Sequence, residues 1–86
     1  MPTVSRFFGI TLRMYYDDHP PPHFHVYYGE FAAKITIESL ELPEGQLPRR
    51  ALALVLEWAA EHRDELRENW QLADQHEPLN AIAPLE

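Results

Sequence analysis

The chain has no cysteine, so disulfides and thiolate metal sites are both excluded. It has only seven basic residues against fourteen acidic ones, a net charge of −7. The deficit holds along the whole length: residues 1–46 carry three Lys/Arg against six Asp/Glu, and residues 47–86 carry four against eight. With no basic block to neutralise phosphates, direct nucleic-acid binding is not expected, and a partner with a basic surface is the easier reading. No apolar run approaches the roughly 20 residues that span a bilayer. The first residues lack the basic-then-apolar order of a signal peptide, so no membrane association and a cytoplasmic location are expected. Glycine is scarce too, with three residues in 86, and each reads as a turn marker.

What is present is a single ordinary globule's worth of apolar and charged residues, one domain over residues 1–86. A domain this small is only marginally stable alone, which makes a homodimer or a partner protein an expectation.

Ile10, Leu12, Met14 and Tyr16 alternate with Thr11, Arg13 and Tyr15, the period-2 pattern of a half-buried strand. Residues 4–8, before Gly9, read as a shorter strand. The clearest hairpin joins 23–28 to 31–38 through Gly29-Glu30, with glycine first as a type II′ turn requires. That loop pairs Tyr28 with Phe31, Val26 with Ala33 and Phe24 with Ile35 on one apolar face. His23, His25 and Tyr27 then face Thr36, Lys34 and Ala32 on the other. Pro43-Glu44-Gly45 reads as a turn. Pro48 suits a helix's first turn, and no glycine or proline interrupts residues 49–77. One helix of about 25 residues would be close to 40 Å long, more than so small a globule covers, so it must bend or project. The expected fold is α+β, a small antiparallel sheet of three or four strands packed against a long C-terminal α-helix. The tail from Glu77 reads as an extended segment laid over the core.

Chemistry-bearing residues crowd into Asp17-Asp18-His19-Pro20-Pro21-Pro22-His23-Phe24-His25-Val26. The prolines fix φ near −65° and supply no donors, so the approach to the second strand pair is expected to be a stiff, extended spacer. Three readings of the histidines stand side by side. They lock the corner or serve recognition; or His19, His23 and His25, with an Asp, bind a divalent transition metal through nitrogen and oxygen; or they do acid–base work. In the last reading His23, His25 and Tyr27 are the catalytic candidates. Tyr15, Arg13 and Lys34 lie near, and the cations would stabilise a phosphorane at a phosphodiester. The candidate binding set is Arg13, Asp17, Asp18, His19, His23, His25 and Lys34. Arg49 and Arg50, cations in a helix's first turn, are expected to pair with Glu41, Glu44 or an Asp of the corner, the alternative being an anion or a partner's carboxylate. Trp58, His62, Leu66 and Trp70 form a slowly drifting helical stripe, either core or interface.

The stretches Thr3-Val4-Ser5-Arg6-Phe7-Phe8-Gly9-Ile10, Met14-Tyr15-Tyr16-Asp17-Asp18-His19 and Pro21-Pro22-His23-Phe24-His25-Val26 resemble a bacterial family, domain of unknown function 4160. Leu47-Pro48-Arg49-Arg50-Ala51-Leu52 and Glu68-Asn69-Trp70 continue the likeness. The resemblance implies a toxin–antitoxin component, often paired with a small protein of domain of unknown function 2442 type. It implies no catalytic residues. The expected function is therefore a protein-interaction module of such a two-protein system. The alternative is a small hydrolase, a ribonuclease-type toxin using His23 and His25, with or without a metal.

Overall fold

In the computed structural model, which describes residues 2–86, the first forty-odd residues build a meander because each apolar run is short and ends at a turn residue. Strands β1 (Thr3–Phe7), β2 (Ile10–Arg13), β3 (His23–Tyr28), β4 (Phe31–Thr36) and β5 (Glu44–Gly45) form one antiparallel sheet in sequence order. The β3–β4 register is the expected one, with His23 opposite Thr36, Phe24 opposite Ile35, His25 opposite Lys34 and Tyr28 opposite Phe31. Gly29 takes φ +57°, the left-handed value that the first position of a type II′ turn needs.

The sheet has five strands instead of three or four. The added one is the Glu44–Gly45 segment, expected as a turn, which pairs with Lys34 and Ala33. Gly45 is required there: at φ +89° a Cβ would stand 2.2 Å from the Ala32 carbonyl oxygen. The second strand also ends early, at Arg13, because the chain turns into the corner from Tyr15 on.

The single long helix is also corrected. Residues 49–61 form α1 and residues 63–74 form α2, broken at His62 (φ −117°, ψ 24°). The domain measures 33 × 26 × 22 Å, so an unbroken helix of this length would leave its apolar end uncovered. The break lets α1 lie on the sheet through Trp58, which contacts Phe7 and Phe24 with ring centroids 5.7 and 5.8 Å away. It also turns α2 back toward the corner.

The core is one cluster. Leu12, Phe24, Val26, Ile35, Ile37, Val55, Trp58 and Leu66 have no exposed surface. Fully burying each such side chain contributes about 1.5–3 kcal/mol. The tail is laid over this core as expected: Ile82 and Leu85 are buried, the Ile82 amide donates to the Val4 carbonyl, and Trp58 Nε1 donates to the Ala83 carbonyl at 2.8 Å. Asn69, wholly buried on α2, accepts from the Asn80 amide and donates to the Asn80 carbonyl, both at 2.9 Å. That pair satisfies the side chain's own polarity and pins the tail.

Candidate functional site

The face of the sheet opposite the core carries a polar row running across four strands. Arg13 on β2 stands beside His25 on β3, His25 beside Lys34 on β4, and Lys34 beside Glu44 on β5. The period-2 alternation of each strand puts them there, because their sequence neighbours Leu12, Val26 and Ala33 face the core. His23 lies two residues along the same face.

The corner brings Asp18 onto this row. Asp17 adopts φ +60°, a left-handed conformation that aspartate tolerates better than most residues. Tyr16 and Asp17 are clasped from the other side by the end of α2 and the start of the tail. Tyr16 donates to the Glu77 carbonyl and stacks on His76, and His76 Nε2 lies 3.0 Å from the Asp17 carboxylate. Across the proline run, the Ile37 amide donates to the Pro22 carbonyl, tying the corner to the end of β4. Within the run the Pro20–Pro21 peptide bond is cis.

At the centre, one oxygen, Asp18 Oδ2, is approached by two imidazoles. His25 Nε2 is 2.9 Å away and donates a hydrogen bond to it; His23 Nε2 is 3.0 Å away. The other carboxylate oxygen accepts the His19 amide at 3.1 Å. The two His–Asp contacts differ in kind. The His23 Nε2 approach is short, but the atom is buried and forms no aligned hydrogen bond. The separation is therefore a close approach of two polar atoms and not a donor–acceptor pair. His23 Nδ1 lies 2.8 Å from the Pro21 carbonyl, which can only accept, so Nδ1 carries a proton. With its proton on Nδ1, His23 leaves the Nε2 lone pair beside the Asp18 carboxylate and off the line to it.

Burial at the site distinguishes it from an open sheet. The side chains of His23, His25 and Asp18 are 8, 15 and 17% exposed. His23 packs on Trp70 of α2 at 5.3 Å, so the expected outward-presenting histidine face is covered at this end by the returning helix. Burial pushes the Asp18 carboxyl up, but the His25 hydrogen bond, the attraction of His23 and the His19 amide outweigh it, and the net shift is downward. The carboxyl is ionised at neutral pH.

Around this centre Tyr15 meets His25 edge to face at 4.5 Å and shares a 2.6 Å hydrogen bond with the Tyr27 hydroxyl. Burial, with the Tyr15 hydrogen bond, pushes the Tyr27 phenol up to about 12. As a site residue Tyr27 is therefore a hydroxyl donor and not a phenolate base. Arg13 lies over the Tyr27 ring, 5.3 Å from its centroid, and Lys34 pairs with Glu44 at 3.3 Å. Glu44 is thus taken by Lys34, and Arg49 and Arg50 make no ion pair with a described residue. Two adjoining clefts open onto the site. One, of about 240 Å³, is walled by Pro20, Pro21, Thr36 and Pro43 and reaches Asp18 and His23; the other, of about 100 Å³, reaches His25 and Tyr27. The Lys34–Glu44 pair borders both.

Of the residues singled out in the sequence, Asp18, His23, His25, Tyr27, Arg13 and Lys34 come together. Asp17 points to His76 instead, and His19 is exposed and contributes only its backbone amide. Trp70 is the site neighbour that the sequence did not single out for this role. Its contact with His23 depends on the break at His62, and nothing in the local sequence marks it.

The fold and this corner define a small α+β domain with a half-buried His/Asp site. Residues 9–71 match a family described as a domain of unknown function (DUF4160), and the chain belongs to it. The match covers the corner, the polar row and most of α2. Neither a curated protein nor a solved structure matches the chain. Among the described residues, no helix is long and apolar enough to cross a membrane.

Proposed function

We propose that this protein is one member of a two-protein, toxin–antitoxin-like system and that it acts through the Asp18–His23–His25 corner as a small hydrolase. The observation that carries the chemistry is the convergence of two imidazole nitrogens on one ionised carboxylate oxygen at the mouth of a cleft. Asp18 holds His25 as the Nε2–H tautomer, which leaves His25 Nδ1 as the basic nitrogen. An imidazole oriented by a buried carboxylate is suited to take a proton from a water or hydroxyl nucleophile near neutral pH. Tyr27, a neutral donor beside it, is suited to a developing oxyanion. The two-protein setting rests on the resemblance, which implies a partner of the domain of unknown function 2442 type. The small size and the acidic charge, which suits a partner with a basic surface, support it.

One observation favours a second reading, a binding module without chemistry of its own. Each cation of the row already has a neighbour within the chain, Arg13 over the Tyr27 ring and Lys34 beside Glu44, and neither stands as a dedicated phosphate clamp. In that reading the corner is a recognition surface for the partner.

Expression of the chain with and without a candidate partner, beside the His25→Ala variant, separates the two. The hydrolase reading expects growth arrest by the chain alone, relief by the partner and loss of arrest in His25→Ala. Arrest that persists in the variant overturns it. A stable complex that forms without any arrest, and is lost when the corner is altered, supports the binding module.

A further inference from the structure

We propose that Asp18, His23 and His25 form a binding site for one divalent transition-metal ion of the zinc class, open to the cleft lined by Pro20, Pro21 and Thr36. The inference rests on the hydrolytic reading of the same corner and changes the role of His25 within it, from general base to ligand, with water on the ion as the nucleophile. Its test does not depend on activity.

Three independent features of the corner point to a cation. The first is the ligand set. One atom from each of the three side chains lies within 4.8 Å of the others. Two imidazoles and a carboxylate are the donors of many catalytic zinc and related sites, which keep further positions for water or substrate. With ligand bonds of about 2.0–2.1 Å, a tetrahedral ion holds its ligand atoms about 3.3 Å apart. The Asp18 oxygen lies 2.9 and 3.0 Å from the two nitrogens, so these two separations need to open by a few tenths of an ångström. The two nitrogens, within 4.8 Å of each other, need to settle at the same spacing.

The second is the state of His23. Its ring is more than nine-tenths buried, and its Nε2 is aimed at the site without a hydrogen-bond partner. A buried polar atom without a partner is costly, and a metal bond at that atom removes the cost. The third is the arrangement behind the ligand. His23 Nδ1–H donates to the Pro21 carbonyl, the outer hydrogen bond that fixes a metal-ligating imidazole with its other nitrogen bare. The His19 amide does the same for Asp18, occupying Oδ1 and leaving Oδ2 directed inward. For His25, binding requires the proton now on Nε2 to sit on Nδ1, a tautomer exchange with no net loss of a proton.

The site also has shape. Trp70 backs His23 on one side and Tyr15 backs His25 on another, so the rings are held while the cleft leaves the ion accessible. His19 and the His76–Asp17 pair are exposed and serve as internal controls.

The test is titration of the untagged full chain with Zn²⁺ by calorimetry and with Co²⁺ by visible absorption. One ion per chain is expected, with the intense bands of a low-coordinate Co²⁺ site having nitrogen and oxygen ligands. His25→Ala and Asp18→Asn should each weaken binding at least about 100-fold, the scale expected when a ligand and its support are lost. His19→Ala and His76→Ala should leave it unchanged. Asp18→Asn nearly preserves shape, so it answers the question even where a histidine variant fails to fold; circular dichroism checks each variant. Absence of stoichiometric uptake, or uptake that survives Asp18→Asn and His25→Ala, overturns the metal site. If uptake is absent while His25→Ala still abolishes growth arrest, the metal proposal fails and the metal-free hydrolase stands.

Discussion

The two faces of the β3–β4 hairpin are built from alternate residues of the same twelve, yet they follow different rules. On one face Phe24, Val26 and Ile35 are completely buried and held by shape alone against Trp58 and its neighbours. On the other, His23, His25, Tyr27 and Lys34 are each held by a named polar or aromatic partner: Pro21, Asp18, Tyr15 and Glu44. The first face makes the domain fold. The second adds little to that and spends its order on fixing the direction of individual nitrogens and oxygens. Stability and chemistry are therefore separable along single strands, residue by residue.

The sharpest way to break this contrast is from the core side. Phe24→Ala should destabilise the domain by about 3–5 kcal/mol, as measured by urea unfolding, because it leaves a cavity under Trp58. His25→Ala, its neighbour on the other face, should cost a fraction of that. Equal losses would mean that the site face is part of the core.

Next in size is Asn69→Ala, which leaves the Asn80 amide and carbonyl without their partners and should cost about 1–3 kcal/mol. Amide hydrogen exchange should show the loss confined to the tail and its contacts with β1. The site histidines should keep their spectra.

Smaller again are two titrations. The folded-state pKa of Asp18 lies below its unfolded value of about 3.9, so the unfolded chain takes up the proton first. Its contribution to stability is complete above that value and is lost as pH falls through the lower folded-state pKa. Acid unfolding of Asp18→Asn should lack this component. On the alkaline side Tyr27 is raised to about 12, so its contribution is complete below about 10 and lost as pH rises toward 12. In Tyr15→Phe the ultraviolet titration of Tyr27 should move down toward 10. Smallest is Glu38→Gln. The Arg67 hydrogen bonds lower the Glu38 carboxyl, yet both groups are solvent-exposed, and the melting temperature should hardly move.

The same contrast explains what could be read from the sequence. The hairpin's register was legible to the residue because alternation and a glycine-first turn specify it together, and so His23 and His25 could be put on one face with Lys34, although the second strand ends at Thr36 and not at residue 38. The break at His62 was not marked by glycine or proline. It is set by the size of the sheet beneath, and only the mismatch between a helix of about 40 Å and a small globule hinted at it. Strand β5 is two residues long and exists because Gly45 can approach Ala32, a tertiary fact without a local signature. The burial of the site followed from both: α2 returns to place Trp70 on His23, and so a face that alternation marks as outward becomes a walled corner. Asp18 and Asp17 are adjacent and alike in sequence. The left-handed turn at Asp17 sends one to His76 and the other to the two site histidines.

The central claim is that Asp18, His23 and His25 work as one unit. Long-range ¹H–¹⁵N spectra of the imidazoles in wild type and in Asp18→Asn test it most directly. For the metal-free chain the account predicts a protonated Nδ1 on His23, a protonated Nε2 on His25, and simultaneous changes in both rings in the variant. His19, His62 and His76 should stay as they were. If Asp18→Asn changes neither ring, or only one, the three side chains are not a single site.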